Sequence, residues 1–250
     1  MVWCIIVKRE VATTEIKKTR SRSPEKKAQQ LERILEAGKQ LFQQKGRDGF
    51  SLRVLAKMLD MNQNNLYNYV ESKRELWIAI RKIFFEQYRD ENRTIIKNHE
   101  ESTVDLLLNI FEHFFKFAEE DFTAFTMMHI IRSPPSDKIG PFEKQYKPFN
   151  FLDGTTRVIQ KAINEGGIKE NNAALLSFFL YSLILGATMV ERTMRSVEEN
   201  NDYKGSKAEE RVQFSTQPFT SKEFRKYVLR KIQLGLIDPN LIVDKSDYKS

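Results

Sequence analysis

A chain of 250 residues with 40% apolar and 30% charged side chains has the composition of a soluble globular protein of one or two domains. Its single cysteine, Cys4, excludes an intramolecular disulfide, and with only three scattered histidines it argues against a structural zinc site; a reducing cytoplasm is the expected compartment. The net charge of +7 is uneven: residues 1–75 hold 16 basic and 9 acidic side chains, whereas residues 76–250 hold 25 of each. A polyanion-binding head on a neutral body accounts for this, since Lys and Arg neutralise phosphates; the plainer reading is a solvated charged face with a basic tail.

Residues 1–8, MVWCIIVK, form an apolar run without a basic leader and too short for a secretory core, so no signal peptide is expected. The run reads either as a strap against the body or as a stretch upstream of the true start. Residues 8–27 are basic and polar, and a flexible arm over 1–23 is expected, free to touch phosphates or a minor groove. Ser23 then caps a helix with Pro24 in its first turn. Leu31, Ile34, Leu35, Gly38, Leu41 and Phe42 recur at spacings of three and four, and Gly46 and Gly49 stop the pattern.

Ser51 is a cap candidate for a short helix through Leu52, Leu55, Ala56 and Leu59, and Asn62 for a second short segment, QNNLYNYV. Two short helices cannot bury their own apolar faces, so they lean on the first helix in a helix-turn-helix spanning 24–75. Gln63, Asn64, Asn65 and Asn68 are left outward, amides that a core cannot use but base edges can. Tyr67 and Tyr69 sit among them as phosphate- or sugar-reaching hydroxyls. The residues expected on DNA are therefore Ser51, Arg53, Tyr67, Tyr69 and Lys73 for phosphates, Gln63, Asn64 and Asn65 for bases, with Asn68 beside them.

The set Ile34-Leu35, Ala37, Leu41-Phe42, Gly46, Gly49-Phe50-Ser51, Leu55-Ala56, Leu66-Tyr67, Tyr69 and Ser72-Lys73 resembles the N-terminal domain of the TetR family of one-component transcriptional regulators. Three positions depart from that pattern: Asp60 stands where a turn glycine is usual, Asn62 replaces a Ser or Thr cap, and Val70 replaces a Phe. Asp and Asn tolerate turn conformations, so the first two change the chemistry of the turn rather than its existence. The resemblance implies an all-α protein, with a three-helix DNA-binding head followed by a helical ligand-binding and dimerisation body over 76–238. It also implies a long helix after the head acting as a lever, and a four-helix dimer bundle built from the last two long helices.

From Glu75 to about His99, Leu76, Ile80, Ile83-Phe84 and Tyr88 continue one long helix. Residues 102–131 then carry Leu107, Phe111, Phe114, Ala118, Phe122, Phe125 and His129 at helical spacing, a stripe that reads first as core packing, with pocket lining the sharper and compatible reading. The pocket reading names Phe111, Phe114, Phe115, Phe122, Phe125 and His129, joined by Phe151 and Phe178. Residues 133–148 hold four of the seven prolines and read as a loop-rich crossing segment able to cover a pocket.

A further helix over 149–166 ends at Gly166-Gly167. Next, Ala173–Val190 runs for eighteen residues without a charge. That length reaches the threshold for a membrane span, but Ser177, Tyr181, Ser182 and Thr188 dilute it and no membrane association is expected. A helix apolar on nearly all sides needs cover on nearly all sides, and a second copy of the chain is the natural cover. With the last helix, near Ser221–Leu236, the expected homodimer interface comprises Leu180, Ile184, Met189, Phe224, Val228 and Ile232. Residues 198–218 are polar, and the tail 239–250 is uninformative.

No nucleophile elbow, P-loop, dinucleotide fingerprint, Cys-pair or zinc-protease motif is present, and His99, His113 and His129 fall on helical stretches as packed or surface residues. The expectation is thus a non-enzymatic regulator needing no cofactor and no metal. It would bind double-stranded DNA at a near-palindromic operator as a dimer, most simply as a repressor released by an apolar small molecule such as a fatty acyl chain or its coenzyme A thioester. A bulky aromatic compound would suit the Phe-rich stretch equally. The competing expectation is a ligand-independent architectural or activating protein whose body only dimerises.

Overall fold

The computed structural model describes residues 23–199 and 218–237, and the expected basic arm, the polar stretch after residue 199 and the tail lie outside them. Ten helices make up the described residues, with no strand among them. The first, α1 (Pro24–Gly49), opens as the sequence indicates: the Ser23 hydroxyl accepts the Lys26 amide and Pro24 occupies the first turn. Its regular course breaks at Gly46, whose φ of 61° and ψ of −162° belong to a region that only glycine visits at low cost. A last turn then carries the chain to Gly49.

The short helices α2 (Leu52–Met58) and α3 (Gln63–Leu66) follow and pack on each other, α2 also on α1; Leu52, Leu55, Ala56 and Leu66 are buried in the core they share with α1 and α4 (Lys73–Lys97). Asp60 adopts a φ of 50° between them, so the turn takes the left-handed conformation in which a glycine would be unstrained, with an Asp that tolerates it. Asn62 caps α3 by accepting the Asn64 amide at 2.9 Å. Ser51 occupies the position before α2, yet its hydroxyl makes no capping bond. Inside the head, Phe42, Phe50 and Trp77 meet edge to face, with ring centroids 4.8 to 5.9 Å apart.

The body comprises α5 (Thr103–Glu120), α6 (Phe122–His129), α7 (Pro141–Gln145), α8 (Asp153–Asn164), α9 (Ala173–Glu199) and α10 (Ser221–Ile237). α5 is central: it buries ten residues and packs on α4, α6, α8, α9 and α10. The stripe expected to run unbroken over 102–131 is interrupted at Asp121. That residue leaves helical geometry (φ −141°, ψ 75°), accepts the Ala124 amide at 2.8 Å and receives the Gln43 side chain from α1. A residue that caps the next helix ends the previous one, so Phe122, Phe125 and His129 turn onto a separate axis.

α9 and α10 pack on each other, and a buried ionic cluster ties them to α5. The Arg225 guanidinium reaches Glu191 at 3.0 Å through Nε, Glu119 at 2.7 Å and Glu112 at 3.1 Å, while Arg195 bridges Glu119 and Glu191. α9 is long and apolar enough to cross a membrane by length and composition, but it packs on α5, α8 and α10 and buries Ser177, Thr188 and Glu191.

A Cβ added at Gly46 or at Gly154 in the first turn of α8 would meet nothing within 4 Å, so backbone conformation alone separates the two positions. Gly46→Ala is expected to cost about 1–3 kcal/mol in urea unfolding, and Gly154→Ala to gain up to about 1 kcal/mol. Equal shifts of one sign would remove the conformational argument.

Candidate nucleic-acid interface and body cleft

The recognition segment is a single turn of helix anchored from below. Leu66 and Val70 are completely buried, so the side chains between and around them are forced outward. Asn64, Asn65, Tyr67 and Asn68 are exposed, as is Arg53 on α2. Gln63 and Tyr69 are half-buried, and Tyr69 packs against the core. Ser51 is half-buried beside them, and Lys73, at the start of α4, rests its ammonium 5.7 Å from the Phe50 ring centroid. All nine side chains expected on DNA thus belong to α2, α3, the turn after it or the ends of their neighbours. The Ser72 hydroxyl accepts the Glu75 amide and opens α4 immediately beyond.

In the body, Phe114, Phe125, His129 and Phe151 do come together, with His129 4.8 Å from the Phe125 centroid and 4.6 Å from that of Phe151. Tyr181 closes the group, its hydroxyl 3.1 Å from His129 Nδ1, and Phe111 lies buried at its edge. The rings fill nearly all of their own space: the cavity beside them is about 10 Å³, room for about one water at most. Burial of this kind disfavours charge, pulling His129 down to about 3 and pushing the Tyr88 and Tyr181 hydroxyls up. His129 Nε2 has no hydrogen-bond partner.

Of the other expected pocket residues, Phe115 and Phe178 lie apart and Phe122 sits at the edge of the group. Phe115 is buried on another side of α5, under the Arg225 guanidinium, and Phe122 stacks on Phe125 beneath Arg192. Phe178 points outward and is 66% exposed, because it lies on the face of α9 opposite the core.

Open space lies instead between α4 and the crossing segment. Two adjoining cavities of about 190 and 460 Å³ share Arg89, Phe149, Asn150 and Asp153. Phe149 stacks on Phe85 at 4.8 Å, and Phe151 separates the smaller cavity from the filled aromatic group. Five cations, Lys82, Arg89, Arg93, Lys147 and Arg157, line the pair against two carboxylates, Glu86 and Asp153. Each carboxylate is already engaged, Glu86 by Lys82 at 3.7 Å and Asp153 by Arg157 at 3.0 Å, and Asp90 at the rim lies 3.5 Å from Arg89 and 2.9 Å from Arg93, so five cations face three carboxylates. The helix expected over 149–166 begins only at Asp153, so Phe149 and Phe151 lie in the coil before α8 and border the cleft rather than a helix face.

Of the residues expected at a dimer interface, Leu180, Ile184 and Ile232 are buried within their own chain, at 2, 3 and 6% exposure. Phe224 and Val228 are half-buried along an apolar groove between α9 and α10, and Met189 is exposed. The face left uncovered carries Leu175, Phe178, Phe179 and Leu183, with Tyr227 from α10.

The head is a helix-turn-helix, a DNA-binding element, set on a helical body. Residues 34–80 match the family model of bacterial regulatory proteins of the tetR family. Over those residues, about a fifth of the chain, the head is a tetR-family DNA-binding domain. A putative tetR family transcription regulator from Shewanella sp. PV-4 shares the fold, with a TM-score of 0.54, 14% identity, and 82% of this chain and 97% of that one covered.

A putative transcriptional regulator from Saccharomonospora viridis in complex with choline matches at TM-score 0.58 and 12% identity, over 84% of this chain and 99% of its own. AibR in complex with isovaleryl coenzyme A and operator DNA matches at 0.52 and 13%, over 83% and 97%. No curated protein matches the chain by sequence.

Neutral burial of His129 has a pH signature. An unfolded histidine takes up a proton near its ordinary value of 6.5, whereas the folded one resists to about 3. Stability is therefore full above pH 6.5 and falls as pH drops below it. Between pH 7 and pH 5 the loss from this group is about 2 kcal/mol. His129→Leu, compared with the parent by urea unfolding at both pH values, is expected to lose about 2 kcal/mol less over that interval. Equal losses would show that the imidazole is not held neutral.

Proposed function

We propose that this protein is a homodimeric repressor that reads a near-palindromic operator in the major groove and is released by an amphipathic anion of the fatty acyl or acyl-coenzyme A type. The exposed amide row of Asn64, Asn65 and Asn68, raised on a buried Leu66, carries the DNA half of this reading. Gln63 joins Asn64 and Asn65 on base edges. Ser51, Arg53, Tyr67, Tyr69 and Lys73 hold phosphates, and the basic arm adds charge. A 24–75 head and a 76–238 body divide the work. The uncovered apolar face of α9, together with Tyr227 and the α9/α10 groove, supports pairing of two such chains in the cytoplasm.

The observation that carries the effector half is the cleft beside Arg89. Its surplus of cations suits an acidic head group and opposes a cationic ligand such as the choline of the Saccharomonospora structure. Ile96, Ile110, Phe149 and Phe151 offer apolar surface to a chain entering between them. The isovaleryl coenzyme A bound by AibR belongs to the same ligand class. The filled aromatic group supports treating the Phe stripe as core and the outer cleft as the receiving space.

DNA selected from a random pool by the purified protein supplies the operator for the test. On it, Asn64→Ala is expected to cost about 1–3 kcal/mol and to relax preference at one base position. Lys73→Ala is expected to weaken all sequences alike and to lower the salt slope by about 1. Indistinguishable, sequence-blind losses from both would sink that division of roles.

Palmitoyl-coenzyme A at about 100 times its dissociation constant is expected to stabilise the protein by about 2.7 kcal/mol and to weaken operator binding; Arg89→Ala removes both effects, and choline produces neither. If DNA raises the unfolding midpoint while no fatty acid or acyl-coenzyme A does, the ligand-independent reading replaces this one.

A further inference from the structure

Glu75 is completely buried in the first turn of α4, and its carboxylate joins two distant segments. One oxygen accepts the amide of Glu71, at 2.6 Å, in the turn that follows the recognition helix. The other accepts the amide of Phe142, at 2.8 Å, in α7. The two donor residues lie 71 positions apart, with the whole of α4 to α6 between them. Phe142, Gln145 and Tyr146 in turn form one wall of the larger cleft cavity. A single carboxylate thus touches both the backbone under the DNA-reading side chains and the backbone lining the cleft.

The approach is close enough to demand a glycine. A Cβ at Gly140 would overlap the Glu75 carboxylate, although the φ of −87° there would suit any residue. Two outer contacts hold α7 in place: Arg74 reaches Glu143 at 2.7 Å, and the Arg81 guanidinium lies 6.0 Å from the Tyr146 ring centroid. Glu143 retains one buried oxygen without a hydrogen-bond partner. Among the described residues, Glu75 forms no ion pair, so its burial depends on the two amides.

We propose that Glu75 is a coupling latch: displacement of α7 by a ligand in the cleft withdraws the Phe142 amide, and the carboxylate, left with one partner, shifts the turn at Glu71 and the recognition segment before it. This rests on the cleft being the effector site, but the latch itself is testable without effector or operator. Because the two bonds share one group, loosening either end loosens the other, and the coupling is reciprocal.

Amide hydrogen exchange on the full chain provides the test. Gly140→Ala is expected to speed exchange at Phe142 and, across the molecule, at Glu71 and Tyr67–Val70, by roughly tenfold or more. Glu75→Gln keeps one acceptor oxygen and replaces the other with a donor, so at least one of the Glu71 and Phe142 amides is expected to lose protection to a similar degree. It serves as the second variant should Gly140→Ala fail to fold. Glu143→Ala removes only the outer ion pair and is expected to change Phe142 more than Glu71.

Faster exchange confined to residues 141–146 in Gly140→Ala, with 66–71 as in the parent, overturns the latch. Palmitoyl-coenzyme A separates the two readings. If it binds and protects Tyr146 without altering exchange at Glu71, the latch is wrong. If it does not bind while the Gly140→Ala coupling persists, the latch stands and the effector assignment fails.

Discussion

The whole molecule hangs on one helix whose two halves are buried in different places. Trp77 packs edge-on against Phe42 and Phe50 inside the head, while Phe85 and Tyr88, two and three turns later on α4, pack on Phe149, Phe151 and Phe117 in the body. Edge-to-face aromatic contacts have a preferred geometry and a close-packed core resists shear. The head therefore cannot rotate on its own, and any reorientation must move α4. A regulator needs such a constraint, because a recognition segment of four helical residues has too little surface of its own to be held in register.

At the other end of the body, buried charge fixes the pairing of the last helices. Glu191 is 2% exposed, and removing Arg225 or Arg195 would leave it without the partners that make burial tolerable. A hydrophobic surface alone would let α10 slide along α9; an Arg facing three carboxylates from two helices allows one register. The consequence is that Phe179, Leu183 and Tyr227 are presented outward together, as a surface that a second copy of the chain could cover.

Between these two anchored ends lies the softest part of the described body. The segment from Ile131 to Leu152 contains only the five-residue α7, and it is held to α4 by Glu75, by the Arg74–Glu143 pair and by ring contacts of Tyr146 and Phe149. Few bonds spread over many residues make a segment easy to displace, and the cavities it covers are the largest open volume beside the long helix. The same segment that closes the cleft is thus the one whose backbone reaches the head.

Local chemistry was enough to read the head. A Ser-Pro start, a glycine stop and the Asp60 and Asn62 turn all act within a few residues, so Ser23, Gly46 and Asn62 could be assigned from spacing alone. The apolar periodicity of α4, α5, α8, α9 and α10 was likewise legible, because a period near 3.6 is a property of the string. What the string could not carry was direction. On a helix apolar all round, Leu180 and Phe178 look alike, and only the positions of α5 and α8 send the first inward and the second out.

The break at Asp121 depends on a side chain from α1 and an amide three residues on, and the cleft depends on Phe149 and Phe151 outside any helix. Glu75, an ordinary first-turn acid in the sequence, becomes a bridge only once α7 lies across it. The sequence by itself determined most of the helices, the Ser23 and Asn62 caps and the charge of the head, all of which follow from neighbours within one or two turns. Which faces are covered, where space remains and what touches Glu75 were decided only by packing between residues some seventy positions apart, which no local pattern encodes.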